Sequence, residues 1–568
     1  MDKRSIIAIS GTAAVILIIV IALGVIITKK LTPSNEVMPL MDYYQVEESE
    51  VLVILQNEIY EKKGRLIDGE IYLDYDTIVE YFNHRFYWDY NENILTYTTP
   101  DEILQAEAGS NKYTITKSMI KTNSSVDYQI VRVFVDQVYI ALDFVQKYSD
   151  LTFEYYGDPS RIVVNYLWGD YLYTEVSKNT QLRFDASIKS PVLKQMVAGD
   201  SLMYVDMEEA PRKGFSKVMT EDGIIGYVKN SNVIDSFYKS LVSSYQEPVY
   251  TSQTRQEKIN MVFHQVFDND EADNLEDLIS ETKMVNVVSP TWFSINDASG
   301  TISSFASKKY VEKAKSLGLE VWALVDDFNP DVSKFDLFSH TSSRETLSNA
   351  LVEAAIEYKL NGINIDFEKI TEDTAEHYIQ FLRELSVKCR NNGIVLSVDN
   401  YVPAPYNKFY DREEQGKIID YVVVMAYDEY TPAFDEAGPV ASIGFVNDAV
   451  TNILTMVPKE KTIIAIPFYT RLWKETKDGE ISASSHAMTN AANLLKENGV
   501  EPKWDATYGC YYAQYEKDDA IYKIWQEEEK SIEEKMKVIY NADVAGIAAW
   551  KLGLEKQSVW DVILRYLN

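Results

Sequence analysis

The sequence predicts an α/β protein whose C-terminal part, residues 258–568, is a (β/α)8 TIM barrel, preceded by a membrane helix, a duplicated α+β module and a small all-β barrel. Three observations carry that prediction. Eight short apolar runs alternate with amphipathic segments in the C-terminal part, an uncharged apolar run stands near the N-terminus, and two segments 67 residues apart repeat one another. Composition agrees, because 46% hydrophobic and 25% charged residues allow several buried cores and exclude a disordered chain. A formal net charge of −32 repels phosphate backbones and excludes nucleic acid as a partner. Two cysteines, Cys389 and Cys510, with five histidines make no disulfide framework and no zinc cluster, leaving a single Cys389–Cys510 bridge open.

The N-terminal run, Ile6 to Thr28, reads IIAISGTAAVILIIVIALGVIIT. At about 1.5 Å per residue it spans a hydrocarbon core of about 30 Å, so residues 1–31 are expected to anchor the chain in a membrane through residues 6–28. The alternative is a cleaved signal peptide. That would require a shorter apolar region and a small-residue cleavage site, and none precedes Lys29 and Lys30. Lys3 and Arg4 balance Lys29 and Lys30, so charge alone leaves the orientation open.

A polar linker is expected over 32–49 and the duplication within 50–170. GEIYLDYDTIVEYFNHRFYWDYNENILTYT from Gly69 aligns with DQVYIALDFVQKYSDLTFEYYGDPSRIVVNY from Asp136, matching Tyr72 with Tyr139, Ile78 with Val145 and Phe86 with Phe153. Each copy reads as a strand, a short helix and two strands joined by a polar turn. The repeat resembles the small domain in the N-terminal stalk of copper amine oxidases, which carries no copper, and implies a spacer or a wall-contacting module. Residues 179–234 read as short strands and turns ending in GIIGYVKNSNV, which resembles the bacterial Src-homology-3-type (SH3-like) barrel and implies contact with cell-wall peptides or a packing role. A polar stretch over 235–257 reads as the linker to the last domain.

The eight barrel strands are expected at INMVFHQV from Ile259, VNVVSPTWF from Val285, EVWALVDDF from Glu320, GINIDFE from Gly362, IVLSVDNY from Ile394, YVVVMAYD from Tyr421, TIIAIPFY from Thr462 and VAGIAAW from Val544. Helical segments such as RETLSNALVEAAIEYK lie between them. An insertion is expected over about 470–545, with CYYAQY and AIYKIWQ forming a hairpin. Catalytic groups in such barrels sit at the C-terminal strand ends. There, Asp366 and Glu368 stand two residues apart on the fourth strand, hence on one face and roughly 6 to 7 Å apart. Two carboxylates that close oppose each other's ionisation, so one is expected to hold a proton and act as a general acid.

The run Asn361-Gly362-Ile363-Asn364-Ile365-Asp366-Phe367-Glu368 resembles the signature of glycoside hydrolase family 18, the chitinase-type barrels, whose pattern is Asp-Gly-x-Asp-x-Asp-x-Glu. Its form is similar to the branch of spore-germination and cell-wall N-acetylglucosaminidases. The resemblance implies Glu368 as acid/base and Asp366 as the residue assisting the substrate's 2-acetamido group, whose carbonyl oxygen attacks the anomeric carbon; no enzymic nucleophile is needed. Two family Asp positions are Asn here. An inner Asp can share a proton with Asp366, and Asn361 and Asn364 lack that charge, which affects rate and pH optimum.

Three further segments resemble the same family. Met425-Ala426-Tyr427-Asp428 looks like its Met-x-Tyr-Asp, implying that Tyr427 holds the acetamido carbonyl. Ile466 to Trp473 resembles its Gly-x-Pro-x-Tyr-Gly-Arg stretch, with Ala465 and Thr470 in place of the glycines, and brings Arg471. Trp550, ending the eighth strand, matches the family's indole floor beneath the sugar. Substrate contacts are further expected from Asp428, Met425, Trp292 and Asn364, while Asp326 and Asp327 bind hydroxyls or face water. Together these imply a membrane-tethered extracellular hydrolase with its N-terminus in the cytoplasm. It would cleave β-linked N-acetylated amino sugars with retention and without metal or cofactor, peptidoglycan first and chitin second. The rival is a lectin-like carbohydrate-binding protein on the same barrel, which would be expected to lack Glu368.

Overall fold

The structure is a computed structural model that describes residues 3–205, 214–267, 274–434 and 436–567. It divides into two compact units, one built from residues 1–85, 108–111 and 126–247, the other from 86–107, 112–125 and 248–568.

The first unit begins with helix α1 (Lys3–Leu31), which contains the uncharged run and ends on Lys29 and Lys30. From Ala13 on it is long and apolar enough to cross a membrane. Segment 32–49 is not the free linker expected. It carries a short helix, Leu40–Tyr44, whose Tyr44 is buried and donates its hydroxyl proton to the Gly223 carbonyl at 3.0 Å.

Both copies of the duplication form a strand, a short helix and two strands. Strands Glu70–Asp74 and Gln137–Ala141 pair antiparallel with Leu73 opposite Ile140, residues that are themselves equivalent in the two copies, so the copies meet about a local twofold axis. Their second halves then diverge. Thr152–Tyr156 and Arg161–Asn165 stay in this unit, where the latter pairs with Glu50–Leu55. Tyr87–Asp89 and Ile94–Thr98 instead join a five-stranded sheet of the second unit. The small all-β region is a seven-stranded antiparallel sheet wider than the expected 179–234. Gly169–Glu175 and Phe237–Leu241 pair at its edge, so the linker expected from residue 235 begins after a strand.

The second unit is a closed barrel of eight parallel strands: β1 (Ile259–His264), β2 (Val287–Ile295), β3 (Glu320–Asp326), β4 (Gly362–Asp366), β5 (Val395–Tyr401), β6 (Tyr421–Met425), β7 (Thr462–Pro467) and β8 (Gly546–Trp550). Each pairs with its chain neighbour, and β8 closes on both β7 and β1. Side chains alternate between helix layer and interior along each strand. Ile363, Ile365 and Phe367 face the helix layer from β4 and its end, whereas Met261, Phe263, Leu324, Val423 and Ala465 fill the interior. Gly362 is required where the Trp322 indole crosses it, since a Cβ there would stand 2.8 Å from the ring.

The five-stranded sheet at residues 87–125 serves the barrel helices. Asp89 accepts hydrogen bonds from the Thr341 backbone N–H at 2.6 Å and its hydroxyl at 2.7 Å, capping a helix (Thr341–Tyr358) whose own N-cap, His340, makes no side-chain cap. The insertion is a five-stranded antiparallel sheet with one helix, closed by a hairpin through Asp518 and Asp519, both at positive φ. It ends at Gln526, earlier than expected, because Glu529–Ala542 is a barrel helix whose Ile532, Met536 and Ile539 pack in the main core. Cys389 and Cys510 are buried and unbridged.

Candidate active site

The inner positions of β4 and β5 carry polar side chains in register. Asn364 lies opposite Ser397 and Ile365 opposite Val398, so Asp366 and Asp399 follow at the next matched level, with Glu368 and Tyr401 above. Hydrogen bonds cross the seam at two heights. Asn364 Nδ2 donates to Asp399 Oδ2 at 2.6 Å and its Oδ1 accepts from Ser397 Oγ at 2.5 Å. Tyr401 OH donates to Glu368 Oε2 at 2.5 Å.

Glu368 stands half-buried on the turn after β4, and that turn is held from β3. Asp327, fully buried, accepts the backbone N–H groups of Glu368 and Lys369, both at 2.9 Å. Burial pushes the Asp327 carboxyl up to about 6, against the opposing pull of those two N–H donors. Asp327 therefore neither binds hydroxyls nor faces water; it fixes the backbone that carries Glu368. Asp326 accepts from Ser294 Oγ at 2.6 Å.

Asp366 is buried at the strand end. Burial, followed by the charges of Asp399, Glu368, Asp327 and Asp326, drives its carboxyl well above the usual range, so of the two β4 carboxylates the proton-holding tendency is clear at Asp366. Tyr427, after β6, has its hydroxyl raised by burial and then by Asp366, Asp399, Tyr469 and Glu368. Its ring stands edge-on to that of Tyr469, with centroids 6.4 Å apart. Trp550 ends β8 half-buried against the inner core, its indole 5.4 Å from the Phe263 ring. Met425 is buried at the end of β6.

Four expectations need correction. Trp292 is 1% exposed and lies edge-on to Tyr310 at 4.9 Å in the helix-layer core; a bulge in β2 between Thr291 and Phe293 breaks the alternation there and leaves both Trp292 and Phe293 in that core, so no indole face is open to a sugar. Asn364 is fully buried with its amide committed to Asp399 and Ser397, so it positions a neighbour rather than touching substrate. Asn361 precedes β4 and accepts the Val321 N–H at 3.2 Å, at the barrel end opposite Glu368, where it cannot tune Asp366. Arg471 binds Asp428 at 2.7 Å and donates to the Tyr430 carbonyl at 2.6 Å; with Tyr469 also donating to Asp428, it secures the loop after β6 instead of reaching for a ligand.

Two site residues were not anticipated, Asp399 and Tyr401. Their signal is present in the sequence: in LSVDNY, Leu396 and Val398 face the helices, which turns Ser397, Asp399 and Tyr401 inward beside Asn364, Asp366 and Glu368.

With this geometry in place, comparison with known proteins is informative. The family model described as "Glycosyl hydrolases family 18" matches residues 224–555, more than half of the chain. The chain belongs to that family, and its barrel is a glycoside hydrolase. It is 26% identical over 282 residues to the "Uncharacterized glycosylase YvbX" of Bacillus subtilis, covering 47% of this chain and 80% of that protein. It is 27% identical over 253 residues to the cortical fragment-lytic enzyme of the same organism, covering 42% of this chain and 57% of that one, little more than half of that relative's length. Among solved structures, the spore cortex-lytic enzyme SleL of Bacillus cereus superposes with a TM-score of 0.50 at 20% identity, over 58% of this chain and 79% of that one, a likeness of fold.

Proposed function

We propose that this protein is a membrane-anchored extracellular hydrolase that cleaves β-glycosidic bonds beside N-acetylated amino sugars, with peptidoglycan as first substrate and chitin as second. The observation that carries the reading is the Asp366–Glu368 pair at the C-terminal mouth of β4, with Glu368 held toward Tyr401 and its backbone pinned by Asp327. Glu368 protonates the departing glycosidic oxygen. The carbonyl oxygen of the substrate's own 2-acetamido group closes onto C1, Tyr427 orients that carbonyl, and Asp366 accepts the acetamido N–H and balances the positive ring that forms. Glu368 then takes a proton from the water that opens the ring, giving net retention. Trp550 offers an indole face to the apolar side of the sugar. Asp428 and Met425 shape the wall beside it.

Peptidoglycan is favoured by the relatives named for cortical fragments and by a helix suited to tethering the chain at a membrane. The duplicated module would act as a spacer, and the SH3-like region would contact wall peptides. In support, that region has an open groove of about 430 Å³ lined by Asn179, Gln181, Arg183, Gln195 and Lys229, side chains suited to hydrogen bonding. The test is mass spectrometry of the products released from purified peptidoglycan and from chitin. Fragments ending in a reducing N-acetylated sugar are expected, in greater yield from peptidoglycan; absence of cleavage of both polymers overturns the reading.

A further inference from the structure

The inner wall at β4 and β5 contains more acid than the proposed chemistry uses. Asp399 is buried, its Oδ2 is pinned by Asn364, and its Oδ1 is buried with no hydrogen-bond partner. Across the strand pair, Asp366 Oδ1 is likewise buried and unpartnered. The titratable groups that act on the pair are Glu368 after β4, Asp326 and Asp327 at the end of β3, Tyr427 after β6, Tyr401 at the end of β5 and Tyr410 after it, and Tyr378 from the helix Ala375–Asn391. None of these is a cation. Two carboxylates in such a place cannot both ionise without leaving an uncompensated charge away from water, whereas one proton held by the pair removes one of the two charges. Burial pushes both carboxyls upward, in keeping with that arrangement.

We propose that Asp399 is a positioning residue of this site: held by Asn364, it shares one proton with Asp366 across the β4–β5 seam and so fixes the oxygen that Asp366 offers to the 2-acetamido N–H. The proposal rests on the function proposed above. The proton count is simple. At rest the pair carries one O–H. When the acetamido N–H donates to Asp366, any O–H bond on Asp366 breaks and the proton resides on Asp399; product release reverses the transfer, and no proton is consumed. Asn364 and Asp399 are thus a matched amide and acid. Exchanging them keeps one N–H···O bond across the seam and one carboxyl beside Asp366.

The test uses the full chain in mild detergent with 4-methylumbelliferyl N,N′-diacetylchitobioside. Asp399→Asn should lower kcat about 10²-fold with KM within about 2-fold, within the range for proton-handling groups. It should also move the acid limb of the kcat profile to higher pH, because the carboxamide has no acidic O–H to give to the Asp366 carboxylate. The exchange variant Asn364→Asp/Asp399→Asn should recover about 10-fold of that loss. Wild-type kcat and pH profile in Asp399→Asn overturn the proposal, as does an exchange variant no faster than the single one. If Asp399→Asn does not fold, the exchange variant compared with wild type decides alone, a kcat within about 10-fold of wild type supporting the proposal and a larger loss overturning it. Glu368→Gln, assayed in parallel, separates the two levels: an active Glu368→Gln removes the proposed function itself, whereas an inactive one beside an unaffected Asp399→Asn removes only the role of Asp399.

Discussion

Two sectors of one barrel are built on different principles. Strands β1, β2, β3, β6, β7 and β8 fill the interior with Ile259, Met261, Phe263, Val287, Trp322, Leu324, Tyr421, Val423, Ile463, Ala465 and Ala548. At the corresponding inward positions β4 and β5 carry Asp366 together with Asn364, Ser397 and Asp399, the last three joined by side-chain hydrogen bonds instead of close packing. The apolar sector gains from burial. The polar sector opposes burial with every carboxylate it encloses, and it is held in place by the strands on either side. The difference teaches where stability and chemistry separate: substitutions in the first sector should lower stability, and those in the second should lower turnover.

The largest effect that could break this division is at Glu368. Glu368→Gln should reduce kcat about 10³-fold, as expected for loss of a general acid, while isothermal titration with N-acetylated oligosaccharides shows binding retained. Tyr427→Phe should follow, slowing cleavage about 10- to 10²-fold in steady-state assays through loss of one hydrogen bond to a charge-bearing acetamido group, with Tm nearly unchanged. Tyr401→Phe, which frees Glu368 Oε2 from its partner, should cost roughly 10-fold in kcat. On the apolar side the order inverts. Trp292→Ala should lower stability by about 3–5 kcal/mol by denaturant unfolding and leave the kcat of the folded fraction within about 2-fold. A large catalytic defect there with unchanged stability would return Trp292 to the site.

The smallest effect sharpens the comparison through pH. Asp327 has a folded-state value of about 6, above the ordinary aspartate value of about 3.9. The folded form therefore holds this proton more tightly than the unfolded one, so the contribution of Asp327 to stability falls as pH rises from about 4 to about 6. Asp327→Asn lacks that titration. Its Tm relative to wild type should rise between pH 4 and pH 7, measured by calorimetry, and a constant difference would contradict the assignment.

Much of this was readable from strand alternation. The eight apolar runs gave every barrel strand, and the period of two put Asp366 and Glu368 on one inner face. The same rule does not carry through β2, where a bulge between Thr291 and Phe293 leaves both Trp292 and Phe293 in the helix-layer core; a residue near a strand end is not inward merely because it is aromatic. Asp399 and Tyr401 were equally accessible through the apolar Leu396 and Val398 between them. The place of Asn361 was legible too, since five residues before Asp366 is about 17 Å along a strand, which puts it at the opposite end of β4. The capping of Thr341 by Asp89 and the hold of Asp327 on Glu368 join segments distant in the chain, and no local pattern encodes them. Likewise, nothing local marks the two repeat copies as parting into different units.

The central claim is that Glu368 donates a proton while the substrate's own acetamido group attacks C1. Proton NMR of the anomeric signals in the first minutes of hydrolysis tests it most directly. Initial release of the β-anomer, with the α-anomer appearing only at the rate of mutarotation, is the predicted result; initial release of the α-anomer would contradict the account.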